Sequence, residues 1–253
     1  MLTVTDVDPY GDEDLVELYD VDNADGDDHA YYRALADSLG ARKIIDLGCG
    51  TGLLTHTLAR PGRSVTGIDP SRTMLGYARR TPSSITWIEG DHTALPATAD
   101  ADLVVATGNV LMHLADLPPV FTAIAAALRP GGVFAFESRT PMSRAWIHWT
   151  RESTYSERET PFGHLVEWLE LISAPPQSDF SISDEEIVVV FDAHNVFPSG
   201  EDRVFRNTLY FRSYPLVSAA LRDAGLDVRA DRNWSGETFT EDARLMVVRA
   251  TRG

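Results

Sequence analysis

Three aspartates and three glycines sit where their spacing could build a ligand site. "IIDLGCGTG", Ile44 to Gly52, reads as a strand ending in Asp46, a loop with Gly48, Gly50 and Gly52, and a helix start. Loop glycines let a ligand touch the backbone, and a helix start offers N–H groups without partners. Asp69 follows Asp46 by 23 residues, at the end of a second strand. Asp91 follows Asp69 by 22, just past a third. Equal spacing through successive strand–helix units brings three carboxylates to the carboxyl edge of a parallel sheet, where open sheets bind ligands. A carboxylate accepts both hydroxyl protons of a ribose diol. Another suits the exocyclic amine of an adenine. Asp46 would repel a pyrophosphate and welcome an ammonium.

Two phosphate-binding patterns fail. In G-x-G-x-x-G the third glycine falls at Leu53, and no Lys-Ser or Lys-Thr completes a P-loop. A nucleotide-dependent oxidoreductase is therefore a weak alternative. The ligand implied has a ribose, an amine-bearing base and a cationic part, with no phosphate. S-adenosylmethionine meets each requirement.

These residues need elements to hold them. Tyr31, Tyr32, Leu35 and Leu39 share a helical face. Strands follow at Lys43–Asp46, Ser64–Asp69, Ile85–Glu89 and Ala101–Thr107, with helices between them. An alanine-rich helix runs through Leu128, and "RPGG" turns into "VFAFES". Alternating strands and helices predict a doubly wound parallel sheet. From Thr140 the rhythm breaks. "HLVEWLELI", "EEIVVVFDAHNVF" and "RVFRNTLYFRS" read as strands separated by the turn signals "APPQSD" and "PSGED". The division predicted is an acidic arm (1–27), a ligand-binding domain (28–139 and 213–253) and an antiparallel β insertion (140–212). A helix at Ser213–Ala224 and two strands close the chain.

The sequence resembles the class I S-adenosylmethionine-dependent methyltransferases. "DLGCGTG" is similar to the family's first motif and "VTGIDPSRTML" to its ribose-binding strand. "WIEGDHTALP" resembles the adenine-contacting segment, and "ALRPGG" the turn before the fifth strand. The resemblance implies a Rossmann-like, seven-stranded α/β sheet, mostly parallel with an antiparallel last strand. It implies that Gly48 and Gly50, with Cys49 between them, meet the methionine part, and that Asp46 sits near its ammonium. Asp69 should hold the ribose, Pro70 and Met74 flank the adenine, and Asp91 and His92 meet its edge. Thr107, Gly108 and Asn109 should lie near the methyl-bearing sulfur. Tyr19 or Tyr31 could reach the cofactor from the amino-terminal arm, with helix packing as the alternative for each. His113, after the fourth strand, could face the methyl group as the candidate catalytic side chain or serve as a structural histidine. The expected reaction is in-line methyl transfer to a small-molecule acceptor. "TGNV" stands where N-methyltransferases of DNA or glutamine carry "NPPY" or "DPPY", which argues against that chemistry. The thiol of Cys49 reads as a small structural residue rather than a nucleophile.

Charge excludes other partners. The formal net charge is −16, and 11 acidic residues with no basic one lie between Asp6 and Asp28. Nucleic acid and anionic membranes would be repelled on average. That acidic arm reads as a solvated tail or as a lid over a cationic ligand. One cysteine excludes an internal disulfide, and no apolar run approaches a membrane span. Nor do the first residues look like a secretory leader, so a cytoplasmic protein is expected. His148, His164 and His194 match no compact metal motif, and no metal is expected. The insertion, with Trp146, Trp149, Trp168, Phe211, Arg139 and Arg212, is expected to form the acceptor pocket together with the acidic arm. It could instead pair two copies into a homodimer. A cofactor-binding protein without catalysis is the other alternative.

Overall fold

The computed structural model describes residues 9–175 and 186–253. The first part of the acidic arm and most of "APPQSD" lie outside them. Among the described residues, eleven strands form two sheets. The first has seven, in the order β10-β11-β5-β4-β1-β2-β3. Its parallel strands are β1 (Lys43–Leu47), β2 (Ser64–Asp69), β3 (Thr86–Glu89), β4 (Ala101–Ala106) and β5 (Leu128–Arg139). The chain winds outward from β1 through β2 to β3, then crosses back to β4. The order therefore reverses between β1 and β4, which opens a crevice at their carboxyl ends. β10 (Leu226–Asp231) and β11 (Leu245–Arg252) pair antiparallel, because no crossover helix separates them. β11 is also antiparallel to β5. The seven-stranded Rossmann-like expectation, with its reversed last strand, holds.

Strands buried on both faces need apolar residues at successive positions. Ile44, Leu103, Val105, Val133 and Ala135 face α2 (Asp27–Ser38) and α3 (Leu53–Leu58). Ile45, Val104, Phe134 and Phe136 face α5 (Pro118–Ala127) and α7 (Tyr214–Asp223). α7 begins where Ser213 accepts the Leu216 N–H, and Gly225 follows it at φ +82°. α4 (Arg72–Ala78) follows β2 and is capped by Ser71.

The second sheet is antiparallel, in the order β6-β7-β8-β9: Ser156–Thr160, Gly163–Ser173, Glu186–Val196 and Asp202–Arg212. The short helix α6 (Arg151–Thr154) precedes it. Trp146 and Trp149 pack with Phe211, Ile187, Val189 and Met112 into a core of their own. This corrects the expectation that these tryptophans form the acceptor pocket: the sheet needs them as its inner layer. The outer strand β6 carries Glu157, Arg158 and Glu159, a charged edge of the kind that discourages pairing with another strand.

The arm is folded from Pro9 onward. A 3-10 turn, Pro9–Gly11, leads into α1 (Glu13–Asp22), whose first N–H groups are capped by Asp12. Leu15 and Leu18 pack on Leu165 and Phe197 of the second sheet. Among the described residues no helix is long and apolar enough to cross a membrane.

Candidate functional site

A cavity of about 550 Å³ opens at the carboxyl ends of β1 to β4. Its construction starts at the glycine loop. The N–H groups of Gly48 and Cys49 both donate to the Ile68 carbonyl on β2, at 2.7 and 3.2 Å. Asp69 then braces two segments at once. Its Oδ2 accepts the Gly50 N–H at 2.8 Å, and its Oδ1 accepts the Ser71 N–H at 2.8 Å. The carboxylate thus joins the loop after β1 to the start of α4.

Gly48, Gly50 and Gly52 have φ of +75°, +54° and +79°. Gly48 is needed for close packing, since a Cβ there would lie 2.5 Å from the Val110 side chain. Gly50 faces open space: a Cβ would meet only the Met74 sulfur, at 4.0 Å. Gly108 has φ +71°, and a Cβ there meets nothing within 4 Å. Both glycines line the cavity, so their missing side chains leave room for a ligand.

Eleven of the residues singled out in the sequence line this cavity. Gly48, Gly50, Asp69, Pro70 and Met74 form the wall from β1 and β2. Asp91 and His92 come from the turn after β3. Thr107, Gly108 and His113 follow β4, and Tyr19 comes from α1. Asp91 caps the turn at His92: its Oδ1 accepts the Thr93 hydroxyl at 2.7 Å and the Thr93 N–H at 2.8 Å. Those bonds hold its carboxyl below the usual carboxylate range. Burial, then the charges of Asp69 and Asp20, push the Tyr19 hydroxyl up, so it stays protonated.

Four of the residues expected near the cofactor do not line the cavity. Asp46 is 1% exposed and lies behind the loop. Its Oδ2 accepts the Thr55 hydroxyl at 2.6 Å, and its Oδ1 has no partner. Burial pushes this carboxyl up to about 7. Cys49 turns into the protein, close enough to Gly67 that a Cβ there would lie 2.8 Å from the sulfur. Burial raises the thiol, which disfavours the nucleophilic thiolate. Asn109, in the left-handed region at φ +60°, is not among the residues that line the cavity. Tyr31 packs between Tyr32 and Trp234. Arg212, expected in the acceptor pocket, is instead buried behind the loop that follows β4. Arg139 is exposed at the end of β5.

The sequence reading missed Tyr10 and the segment Arg206–Thr208, which complete the cavity. Tyr10 meets His113 edge-on with ring centres 6.0 Å apart. Its carbonyl accepts the Ser71 hydroxyl at 2.6 Å, and the Gly11 carbonyl accepts that of Thr73 at 3.1 Å. The Arg206 guanidinium is paired side-on with Asp192, through two contacts of 2.8 Å. Strand alternation in β9 assigns Arg206 and Thr208 to one face and Asn207 to the other. It could not say which strand meets the crevice. Among the described residues no group of three or more His, Cys, Asp or Glu is placed to hold a metal ion. His194 lies between Asp202 and Glu170 and stacks on Trp168.

The donor set suits a cationic nucleoside. Asp69 and Asp91 bring carboxylates to the cavity, and the walls at Gly50 and Gly108 leave space for a ligand. The cluster is anionic, with the orphaned Asp46 oxygen behind it, which disfavours a phosphate.

Comparison with known proteins agrees with this geometry. Residues 44–132 match the family model described as a methyltransferase domain. The malonyl-[acyl-carrier protein] O-methyltransferase of Pectobacterium atrosepticum is 34% identical over 119 residues, covering 45% of this chain and 47% of that protein. A ubiquinone biosynthesis O-methyltransferase of Proteus mirabilis is 32% identical over 125 residues, covering 46% and 50%. The chain spans about half the length of the curated relatives it matches. Solved structures match along nearly the whole chain. The sugar N-methyltransferase KedS8 from a Streptoalloteichus species has a TM-score of 0.71 at 17% identity, covering 100% of this chain and 99% of that one. The methyltransferase CcbJ from Streptomyces caelestis has a TM-score of 0.70 at 20% identity, covering 96% and 98%. At these identities the structures establish a shared fold.

Proposed function

We propose, taking residues 44–132 as a methyltransferase domain, that the protein is an S-adenosylmethionine-dependent methyltransferase acting on a small-molecule acceptor. The observation that carries this reading is the joint lining of one cavity by Gly50, Asp69, Asp91, Gly108 and His113, together with residues from the arm and from β9. The cofactor supplies a methyl group already activated by its sulfonium. The chain's own residues then bind, orient and exclude water. Asp69 accepts the ribose hydroxyls, while Asp91 and His92 meet the base, flanked by Pro70 and Met74. Tyr10 and Tyr19 close the cavity from the arm. His113, Leu114 and the β9 segment form the acceptor side. Positioning of this kind lowers a barrier by up to about 7–11 kcal/mol. A general base adds about 10²–10⁴-fold, and His113 is placed to serve as one. The protein works in the cytoplasm on this reading, and its lone cysteine suits a reducing compartment.

The test has two stages. Calorimetric titration with S-adenosylmethionine measures binding. A panel of phenols, amines, thiols and carboxylic acids is then scored by release of S-adenosylhomocysteine. Binding with turnover of at least one acceptor supports the proposal, and His113→Gln should then lower kcat with cofactor affinity retained. Absence of binding sinks it. Binding without turnover across the panel favours a non-catalytic binding protein.

A further inference from the structure

The connection from β4 to α5, residues 107–117, supplies Thr107, Gly108, Val110, His113 and Leu114 to the cavity. It holds two successive left-handed residues, Gly108 at φ +71° and Asn109 at φ +60°. A non-glycine residue in that region needs surroundings that hold it there. Two buried charged side chains, neither lining the cavity, touch this connection.

Glu137, near the end of β5, is 2% exposed. Its Oε1 accepts the Asn109 N–H at 2.7 Å. Its Oε2 accepts the hydroxyl of Tyr32, which is fully buried on α2. Arg212, at the end of β9, is 4% exposed. Its Nη1 donates to the Leu111 carbonyl at 3.1 Å, and its Nη2 to those of Leu114 and Ala115 at 2.8 and 3.0 Å. Its Nε donates to Glu186 at 2.5 Å. A carboxyl group on the first sheet therefore takes a backbone donor at one end of the connection. A cation on the second sheet takes three backbone acceptors around His113. Withdrawing ions from water is costly, and hydrogen bonds to charged groups offset that cost best.

We propose that Glu137 and Arg212 are positioning residues that grip the 107–117 connection from both sheets and so fix Gly108 and His113 against the bound ligands. What the gripped wall faces rests on the methyltransferase reading. The grip itself can be measured without it.

Amide hydrogen exchange of the full chain, read by mass spectrometry, compares peptides covering 107–117 with peptides covering β1 and β2. The His113 ring resonance is followed by NMR and assigned with His113→Gln. Glu137→Ala and Arg212→Met should each speed exchange in 107–117 at least tenfold, leave β1 and β2 within threefold, and shift or broaden the His113 signal. Glu137→Gln keeps a carbonyl oxygen for the Asn109 N–H and should stay within threefold of the parent. Unchanged exchange in 107–117 overturns the proposal. So does an equal rise throughout the sheet, or a Glu137→Gln protein as loose as Glu137→Ala. If a truncated variant does not fold, Tyr32→Phe and Glu186→Gln weaken each grip from outside. They should give a rise of at least threefold confined to 107–117, and its absence overturns the proposal. Failure of the parent protein to bind S-adenosylmethionine would count against the proposed function alone, since the exchange result stands without cofactor.

Discussion

Arg203 on β9 holds Asp12 at the cap of α1, with Nη1 3.0 Å from Oδ2, and the same nitrogen lies 2.8 Å from Asp14. Arg158 on β6 similarly pairs with Asp22 at the far end of that helix, at 2.6 Å. The second sheet thus supplies the cations that let an acidic arm fold over the cavity. Arg203→Ala should loosen the arm and weaken S-adenosylmethionine binding, because Tyr10 and Tyr19 would lose their place. A partly exposed network of this kind is worth about 1 kcal/mol, or about fivefold in affinity. Calorimetry across a salt series tests it. The parent should approach the variant as salt rises, since screening weakens the same contacts.

Asp69 has two tasks, and one substitution can separate them. Asp69→Ala would leave the Gly50 and Ser71 N–H groups without their acceptor, so lost binding could reflect a collapsed loop. Asp69→Asn keeps one carbonyl oxygen and removes the charge. Hydrogen bonds to a charged group contribute about 1.5–3 kcal/mol each. Affinity for S-adenosylmethionine should fall roughly 10–100-fold with the far-UV circular dichroism unchanged. Full affinity would remove Asp69 from the ribose site.

Gly50 combines φ +54° with an open path into the cavity. Gly50→Val should abolish measurable cofactor binding, because a branched side chain enters ligand space and strains the loop. Gly48→Ala should act differently. It collides with Val110 inside the protein, so thermal stability falls along with binding. Melting curves beside titrations distinguish the two.

Asp46 gives a pH signature. Its folded carboxyl is raised to about 7 by burial, against about 3.9 in an unfolded chain. The folded form therefore binds the proton more tightly. The resulting stability is present in full below about pH 4 and is lost as pH rises through about 7. Glu137, also raised to about 7 by burial, acts in the same sense. Asp46→Asn removes the Asp46 share. Its melting temperature relative to the parent should therefore climb by roughly 5 °C between pH 5 and pH 8. A constant difference across that range would show that Asp46 is ionised throughout.

The sequence by itself determined the parallel sheet and most of the cavity wall at its carboxyl edge. Short-range rules suffice there: apolar runs set strands buried on both faces, and a regular strand–helix length brings Asp69 and Asp91 to one edge. The same rules put Asp46 on that edge but could not say that Thr55 and the glycine loop would cover it. Side-chain direction at a strand end depends on what the next helix lays over it. The second sheet was legible as strands, yet its roles were reversed. Trp146 and Arg212 looked like pocket residues because one is large and apolar, the other is charged, and both lie in the insertion. Only the tertiary packing buried them, Trp146 in the core of the second sheet and Arg212 against the connection after β4, and brought Arg206, Asn207 and Thr208 to the crevice. Tyr10 reached the site for a similar reason, since an arm of one charge has no fold until distant arginines neutralise it. Contacts between segments more than a hundred residues apart, such as Arg203 with Asp12, obey no local period, and so the tertiary structure alone decided which residues of the arm and of β9 complete the cavity.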